Sequence, residues 1–107
     1  MKWYKYLFCF LAGVFLTNAL PHLIHGLDGD EFPTPFASPP GVALSSPLTN
    51  VFWALFNIAL GLIFFHIGAV SKTNARSIAT MFLGVGVVSI ALSLVAPSVL
   101  VNFKAAH

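Results

Sequence analysis

The sequence predicts an all-α membrane protein with three transmembrane helices and a long Pro/Gly/Phe-rich extracytoplasmic loop between the first two. Hydrophobic residues make up 58% and charged residues 7% of the 107 residues, and the mean hydropathy is +0.91. Soluble domains carry about 25% charged residues. Three apolar runs each approach the roughly 20 residues that a membrane helix needs. We therefore expect a single integral membrane domain over residues 1–107.

The first helix is predicted over about residues 3–22, and its apolar core from Tyr6 to Leu20 follows Lys2 and Lys5. A secretory signal peptide is the alternative, because a basic start and an apolar run precede residues 17–19, which loosely fit a cleavage site. Pro21 directly follows that site and argues against cleavage. We therefore favour a membrane helix.

The second helix is predicted over about residues 47–70 and the third over about 75–96. Ser46 supplies a hydroxyl cap for the second helix, and Pro47 suits its first position. Pro97 is expected to end the third helix, because proline lacks the backbone N–H that a helix interior requires.

The charges predict the orientation of the three helices. Lys2 and Lys5 lie at the start of the first helix, and Lys72 and Arg76 lie between the second and third. The three acids lie in the first loop: Asp28, Asp30 and Glu31. The positive-inside rule places the N-terminus in the cytoplasm and the loop over residues 23–45 and the C-terminus outside. Lys104 disagrees with this orientation. So few basic residues predict no nucleic-acid partner, and the expected surroundings are a lipid bilayer.

The loop over residues 23–45 is unusually stiff and apolar. Phe32, Phe36, Val42 and Leu44 alternate with prolines, which favour extended backbone without internal hydrogen bonds. Two interpretations remain open. The loop forms a compact lid over the outer helix ends, or it lies in the headgroup region with its phenylalanines in lipid.

Polar side chains are expected where the first two helices meet. Asn18, His22 and His25 share a face if the first helix continues through Pro21. Polar groups at depth avoid lipid and face other helices. The second helix carries Asn50, Asn57, Gly61 and Gly68 on one face, with Trp53 beside it. The candidate polar site therefore contains Asn18, His22, His25, Asn50, Trp53 and Asn57, and the candidate loop site contains Asp28, Asp30 and Glu31.

His22 and His25, together with the loop acids, have the side-chain types that bind a divalent metal. Their spacing matches no established ligand motif, and the alternative is that they hydrogen-bond across helices and hold the loop. No cofactor and no catalytic residue are predicted. Cys9 is the single cysteine, so an intrachain disulfide is excluded, and we expect it to behave as a small apolar residue.

Small residues mark the helix contacts, because they let helices approach closely in lipid. Gly61 and Gly68 serve the second helix. The third helix carries Gly86, Ser89 and Ser93 on one side and Ser77, Thr80, Gly84 and Ala91 on the other. We expect one side to pack within the chain. The other is then free for a second copy or for another membrane protein.

Several segments resemble a family of small bacterial membrane proteins of unknown function. They are Asn18-Ala19-Leu20-Pro21-His22, His25-Gly26, Phe32-Pro33-Thr34-Pro35-Phe36-Ala37, Pro39-Pro40-Gly41, Leu44-Ser45-Ser46-Pro47 and Asn50-Val51-Phe52-Trp53. The resemblance covers the first two helices and the loop, whereas the third helix matches only in hydrophobicity. It implies a bacterial inner-membrane setting and transfers no catalytic residue.

Three functions remain open. The sequence contains no phosphate loop and no metal-hydrolase motif, and the apolar runs hold no acid, lysine or arginine of the kind that coupled transporters use at depth. We therefore expect a non-enzymatic accessory subunit or scaffold. The first alternative is a homo-oligomeric small-solute carrier or channel with the Asn50–Asn57 face lining its path. The second is a metal- or cofactor-binding membrane protein that uses His22 and His25.

Overall fold

The computed structural model describes residues 1–38 and 43–106, except for the side chains of residues 98 and 101–106. The elements in chain order are α1 (Trp3–Asp28), β1 (Phe32–Pro33), β2 (Leu44–Ser45), α2 (Pro47–Ile67) and α3 (Ala75–Ala106). Each helix contains a stretch long and apolar enough to cross a membrane, which confirms the three predicted spans at the level of length and composition. Pro39, Pro40, Gly41 and Val42 of the predicted loop, and the side chain of Lys104, lie outside the described part.

The first helix is the centre of the bundle. It packs along both α2 and α3, whereas α2 and α3 have few contacts with each other in the described part of the chain. A Cβ atom added at Gly13 would collide with the carbonyl oxygen of Met81, and one added at Gly84 with that of Phe10. Glycine at these positions therefore lets the backbones of α1 and α3 touch.

Two helices run beyond their predicted ends, and each contains a proline. α1 runs beyond residue 22 to Asp28 with Pro21 inside it, and α3 runs beyond residue 96 through Pro97. A proline removes one backbone hydrogen bond and bends a helix, but packing on either side can maintain the helix. Gly29 ends α1 with a φ of 78°, a conformation that glycine adopts without steric cost.

The second helix starts at Pro47 and ends earlier than the predicted residue 70. The Ser46 hydroxyl accepts a hydrogen bond from the Thr49 backbone N–H at 3.1 Å, which caps the first turn. After Ile67 the chain leaves the helix because Ala69 has a φ of 54°.

A short antiparallel pair of strands is a feature that the all-α description lacks. Phe32 pairs with Ser45, and Pro33 pairs with Leu44. Two-residue strands are too short to show the alternating pattern by which strands are recognised in a sequence. The pair joins the two ends of the loop and holds them beside the start of α2.

The two ends of the bundle differ in charge. At one end the Lys5 ammonium donates to the carbonyl oxygen of Ile67 at 3.1 Å, and the turn between α2 and α3 carries Lys72 and Arg76 near its limits. We call this the turn end. The strand pair and the three acids are at the opposite end, which we call the loop end.

Candidate functional site

Asn50 is the centre of a buried polar network at the loop end. Its side chain is fully buried. The amide nitrogen donates to the carbonyl oxygens of Phe32 at 3.0 Å, Ser45 at 3.2 Å and Ser46 at 3.0 Å. Its amide oxygen lies 2.7 Å from Nδ1 of His22. One side chain on α2 thereby holds both strands and α1.

This network determines which ring nitrogen of His22 carries hydrogen. The Asn50 amide nitrogen faces three carbonyl oxygens, so the oxygen atom must face His22. An amide oxygen only accepts, so Nδ1 of His22 is the donor, and Nε2 of the neutral ring is an acceptor. The His22 ring also meets Phe32 and Trp53 edge to face, with centroids 5.2 Å and 6.4 Å away.

The loop residues next to the network are buried in the same way. Thr34 and Ser45 are 1% and 8% exposed, and their hydroxyl oxygens are 2.5 Å apart. The Phe36 backbone N–H donates to the Thr34 hydroxyl at 3.2 Å. Because each hydroxyl has a partner, this part of the loop is compatible with a low-dielectric setting. Sequence reasoning had not singled out Thr34 or Ser45, although both lie in the Pro-rich motif.

A second polar pair lies deeper along α1 and α2. Asn18 donates from its amide nitrogen to the amide oxygen of Asn57 at 3.2 Å. Asn57 is 1% exposed, and its own amide nitrogen donates to the Trp53 carbonyl oxygen at 2.8 Å. The predicted meeting of the Asn18–His22 and Asn50–Asn57 faces is therefore present in the structure.

His25 and the acids do not join this network. The His25 ring stacks on Phe32, with centroids 4.4 Å apart and planes at 16°. Its Nδ1 lies 3.8 Å from a carboxylate oxygen of Asp30 and has no hydrogen-bond partner in the described residues. Asp28 and Glu31 are exposed. Within residues 1–38 and 43–106, no three potential metal-ligating side chains come together.

A partly open cavity of about 220 Å³ lies beside the network. Its walls come from α1, the β1 region, α2 and the far end of α3. The sequence predicted only three of the lining residues as site residues. Nothing in residue type marks Leu92, Val95 or Ala96 as walls, because they resemble lipid-facing residues of the predicted third helix, and Val99 lies beyond its predicted end. The lining residues are Asn18, His22, Phe32, Pro33, Thr34, Pro35, Trp53, Leu92, Val95, Ala96 and Val99.

The predicted helix-packing residues divide into contacting and open positions. Gly61 faces Leu16, Gly68 faces Cys9, and Gly84 faces Phe10. In the described part of the chain, a Cβ atom at Gly86 would meet nothing within 4 Å. Ser89 and Ser93 are exposed, and the Ser93 hydroxyl donates to the Ile90 carbonyl oxygen of its own helix.

The chemistry available at the site is hydrogen bonding in an apolar setting. In the described ranges, no hydroxyl or thiol hydrogen-bonds to His22 or His25, so neither is paired with a nucleophile. The thiol of Cys9 is buried at the turn end, where it donates to the Gly68 carbonyl oxygen at 3.2 Å.

Comparisons with protein-family models, curated proteins and solved structures gave no match.

Proposed function

We propose that this chain is a non-enzymatic interaction protein of a bacterial inner membrane, an accessory subunit that spans the bilayer three times. Its partner is a helix of another membrane protein, which packs on the α3 face formed by Gly86, Ser89 and Ser93. We call this the open face. The observation that carries the proposal is the contrast between Gly84 and Gly86 on the same helix.

Glycine in a helix interior is unfavourable by about 0.5–1 kcal/mol relative to alanine. At Gly13, Gly61 and Gly84 the structure supplies a reason, because a Cβ atom would overlap a neighbouring helix. None of the atoms that the structure describes lies within 4 Å of a Cβ atom added at Gly86. A helix from a partner that approaches as closely as α1 approaches Gly84 accounts for glycine there.

The orientation in the membrane follows from the charges. Lys5 contacts the end of α2, so the basic N-terminal segment lies at the turn end with Lys72 and Arg76. Asp28 is the last residue of α1, and Asp30 and Glu31 follow it, so the three acids lie at the loop end. This separation supports a cytoplasmic turn end and an extracytoplasmic loop end.

The burial of the asparagines favours an interaction protein over a carrier. Asn50 and Asn57 are 0% and 1% exposed, and both amides hydrogen-bond within the chain. A path lined by this face would need those amides free to meet a solute. Within residues 1–38 and 43–106, no cluster of potential ligands supports the metal-binding alternative, since His22 hydrogen-bonds Asn50 and His25 stacks on Phe32.

Native mass spectrometry of gently extracted, natively expressed protein tests the proposal. We expect a mass that contains a second membrane protein. Gly86→Leu should remove that partner, because the added side chain blocks close approach of the helices. Ala91→Leu is the matched control, since Ala91 is exposed on α3 and lies roughly 140° around the helix from Gly86.

The outcome decides between the open alternatives. A mass of copies of this chain alone would replace the accessory role with a homo-oligomer. A partner that survives Gly86→Leu, or that is lost equally with Ala91→Leu, would remove the open face from the interaction. Both variants should retain the helical content of the parent protein.

A further inference from the structure

The cavity at the loop end presents polar atoms that partner binding at the open face does not use. Asn18 and His22 lie one helical turn apart on α1 and both line the cavity. Nδ1 of His22 and the Asn18 amide nitrogen are engaged by Asn50 and Asn57. Nε2 of His22 and Oδ1 of Asn18 have no hydrogen-bond partner in the described residues, and both are acceptors. His22 is 5% exposed, so its free acceptor belongs to a deeply buried ring.

The remaining walls indicate what else the occupant must offer. Trp53 lines the cavity, and its indole N–H, a donor only, has no acceptor within the described ranges. A hydroxyl group both donates and accepts, so it suits a cavity whose lining includes a histidine acceptor and a tryptophan. The other walls are apolar, including Phe32, Leu92 and Val95, and they suit a hydrocarbon body.

The lining also excludes charge. Among the residues whose side chains the structure describes, it contains no aspartate, glutamate, lysine or arginine. An ammonium group could donate to His22 and Asn18, but it would be buried without a counter-charge, which is strongly unfavourable. A carboxylate or phosphate would meet the two acceptors and be repelled. The matching ligand is therefore neutral.

We propose that this cavity binds a neutral amphiphile through a hydroxyl group, which donates to Nε2 of His22 while the apolar body lies between Trp53 and α3. Asn50 acts as a positioning residue, because its oxygen holds hydrogen on Nδ1 and keeps Nε2 as the acceptor. Two membrane-soluble classes share this chemistry: hydroquinones with an alkyl tail, and lipid alcohols such as diacylglycerol.

Tryptophan fluorescence measures binding to the full chain in phosphatidylcholine nanodiscs. The Trp3→Phe background leaves Trp53 as the reporter. The probes are decylhydroquinone, its dimethyl ether and dioctanoylglycerol. We expect saturable binding of one hydroxyl probe. If that probe is decylhydroquinone, its dimethyl ether should bind about tenfold more weakly, because the ether lacks the hydrogen-bond donor. Preference for decylhydroquinone identifies a ring hydroxyl, and preference for dioctanoylglycerol identifies a lipid alcohol.

A cavity-filling variant and its control locate the site. Ala96→Phe fills the cavity from α3 and leaves every residue of the asparagine network unsubstituted, and Ala91→Phe adds the same group at an exposed position that does not line the cavity. Only Ala96→Phe should abolish binding. In the parent protein, ¹⁵N NMR should show the Nε2 resonance of His22 moving on binding while that of Nδ1 stays in place.

Three results would overturn the proposal. They are the absence of saturable binding for both hydroxyl probes, equal binding of decylhydroquinone and its ether when the hydroquinone is the tighter hydroxyl probe, and an unmoved Nε2 resonance at saturation. The NMR result is independent of whether Ala96→Phe folds. None of these measurements depends on the partner at the open face, so either proposal can fail alone.

Discussion

Among single residues, Asn50 links more parts of the chain by hydrogen bonds than Asn57 does. Asn50 satisfies one ring nitrogen and three backbone carbonyls from three segments of the chain. Buried polar groups that lose their partner are costly, and the cost rises when several depend on one side chain. Asn57, two turns further along α2, joins only one side chain, that of Asn18.

This difference gives the first prediction. Asn50→Leu leaves the His22 Nδ1–H and the Phe32 and Ser45 carbonyl oxygens without this partner, at about 1–3 kcal/mol for each unsatisfied group. We expect the free energy of unfolding to fall by about 3 kcal/mol or more. Asn57→Leu should cost about a third of that. Denaturation by sodium dodecyl sulfate in mixed micelles, followed by circular dichroism, measures both variants, and equal losses would show that Asn50 does not hold the loop end together.

At the scale of whole elements, α1 is the helix on which the other two are assembled. Its contact with α3 depends on backbone approach at Gly13 and Gly84, whereas its contact with α2 combines side-chain hydrogen bonds with the Gly61–Leu16 contact. On the other side of α3, Ser89 and Ser93 are exposed, and no described residue lies within 4 Å of a Cβ atom added at Gly86. The two glycines of α3 should therefore respond in opposite ways to the same substitution.

Gly84→Ala is expected to destabilise the protein, because the new methyl group overlaps the carbonyl oxygen of Phe10, a backbone atom that cannot rotate away. Overpacking of this kind costs about 1–3 kcal/mol. Gly86→Ala should be neutral or stabilising by up to about 1 kcal/mol in the isolated chain, because alanine favours the helix and meets no neighbour. The same micelle unfolding assay compares them. A loss at Gly86→Ala as large as at Gly84→Ala would mean that α3 is rotated relative to the packing described.

The element ends also show what a sequence can and cannot specify. Ser46 and Pro47 predicted the start of α2 because a helix N-terminus is a local feature. Pro97 predicts the end of the third helix, and the first helix is predicted to end near residue 22, yet α1 continues to Asp28 and α3 passes through Pro97. Whether a proline ends a helix depends on packing before and after it, which is not a local property. The strand pair was missed because its two short segments meet only after the loop has folded.

For the whole molecule, the sequence predicted that Asn18 and His22 of α1 meet Asn50 and Asn57 of α2, because polar groups in an apolar chain must meet one another, whereas His25 stands apart. It could not predict the cavity. Leu92 and Val95 look like any lipid-facing residues of α3, and their role as walls depends on how α1 holds that helix. Polar residues that hydrogen-bond to each other can be recognised in an apolar sequence by their type, whereas apolar residues that line a cavity cannot be told from those that face lipid.

Orientation is the last property that belongs to the entire molecule, and a labelling experiment tests it. In a Cys9→Ser background, Ser38→Cys places a thiol at an exposed site of the loop, and Thr73→Cys places one at an exposed site of the turn. Serine at residue 9 keeps the hydrogen-bond donor that Cys9 directs to Gly68. A membrane-impermeant maleimide applied to spheroplasts should label Ser38→Cys and leave Thr73→Cys unlabelled until the membrane is permeabilised. The reverse pattern would mean that the basic turn end faces outward, against the charge bias of Lys2, Lys5, Lys72 and Arg76. The cavity would then open toward the cytoplasmic leaflet, and a lipid alcohol would have to reach it from that side.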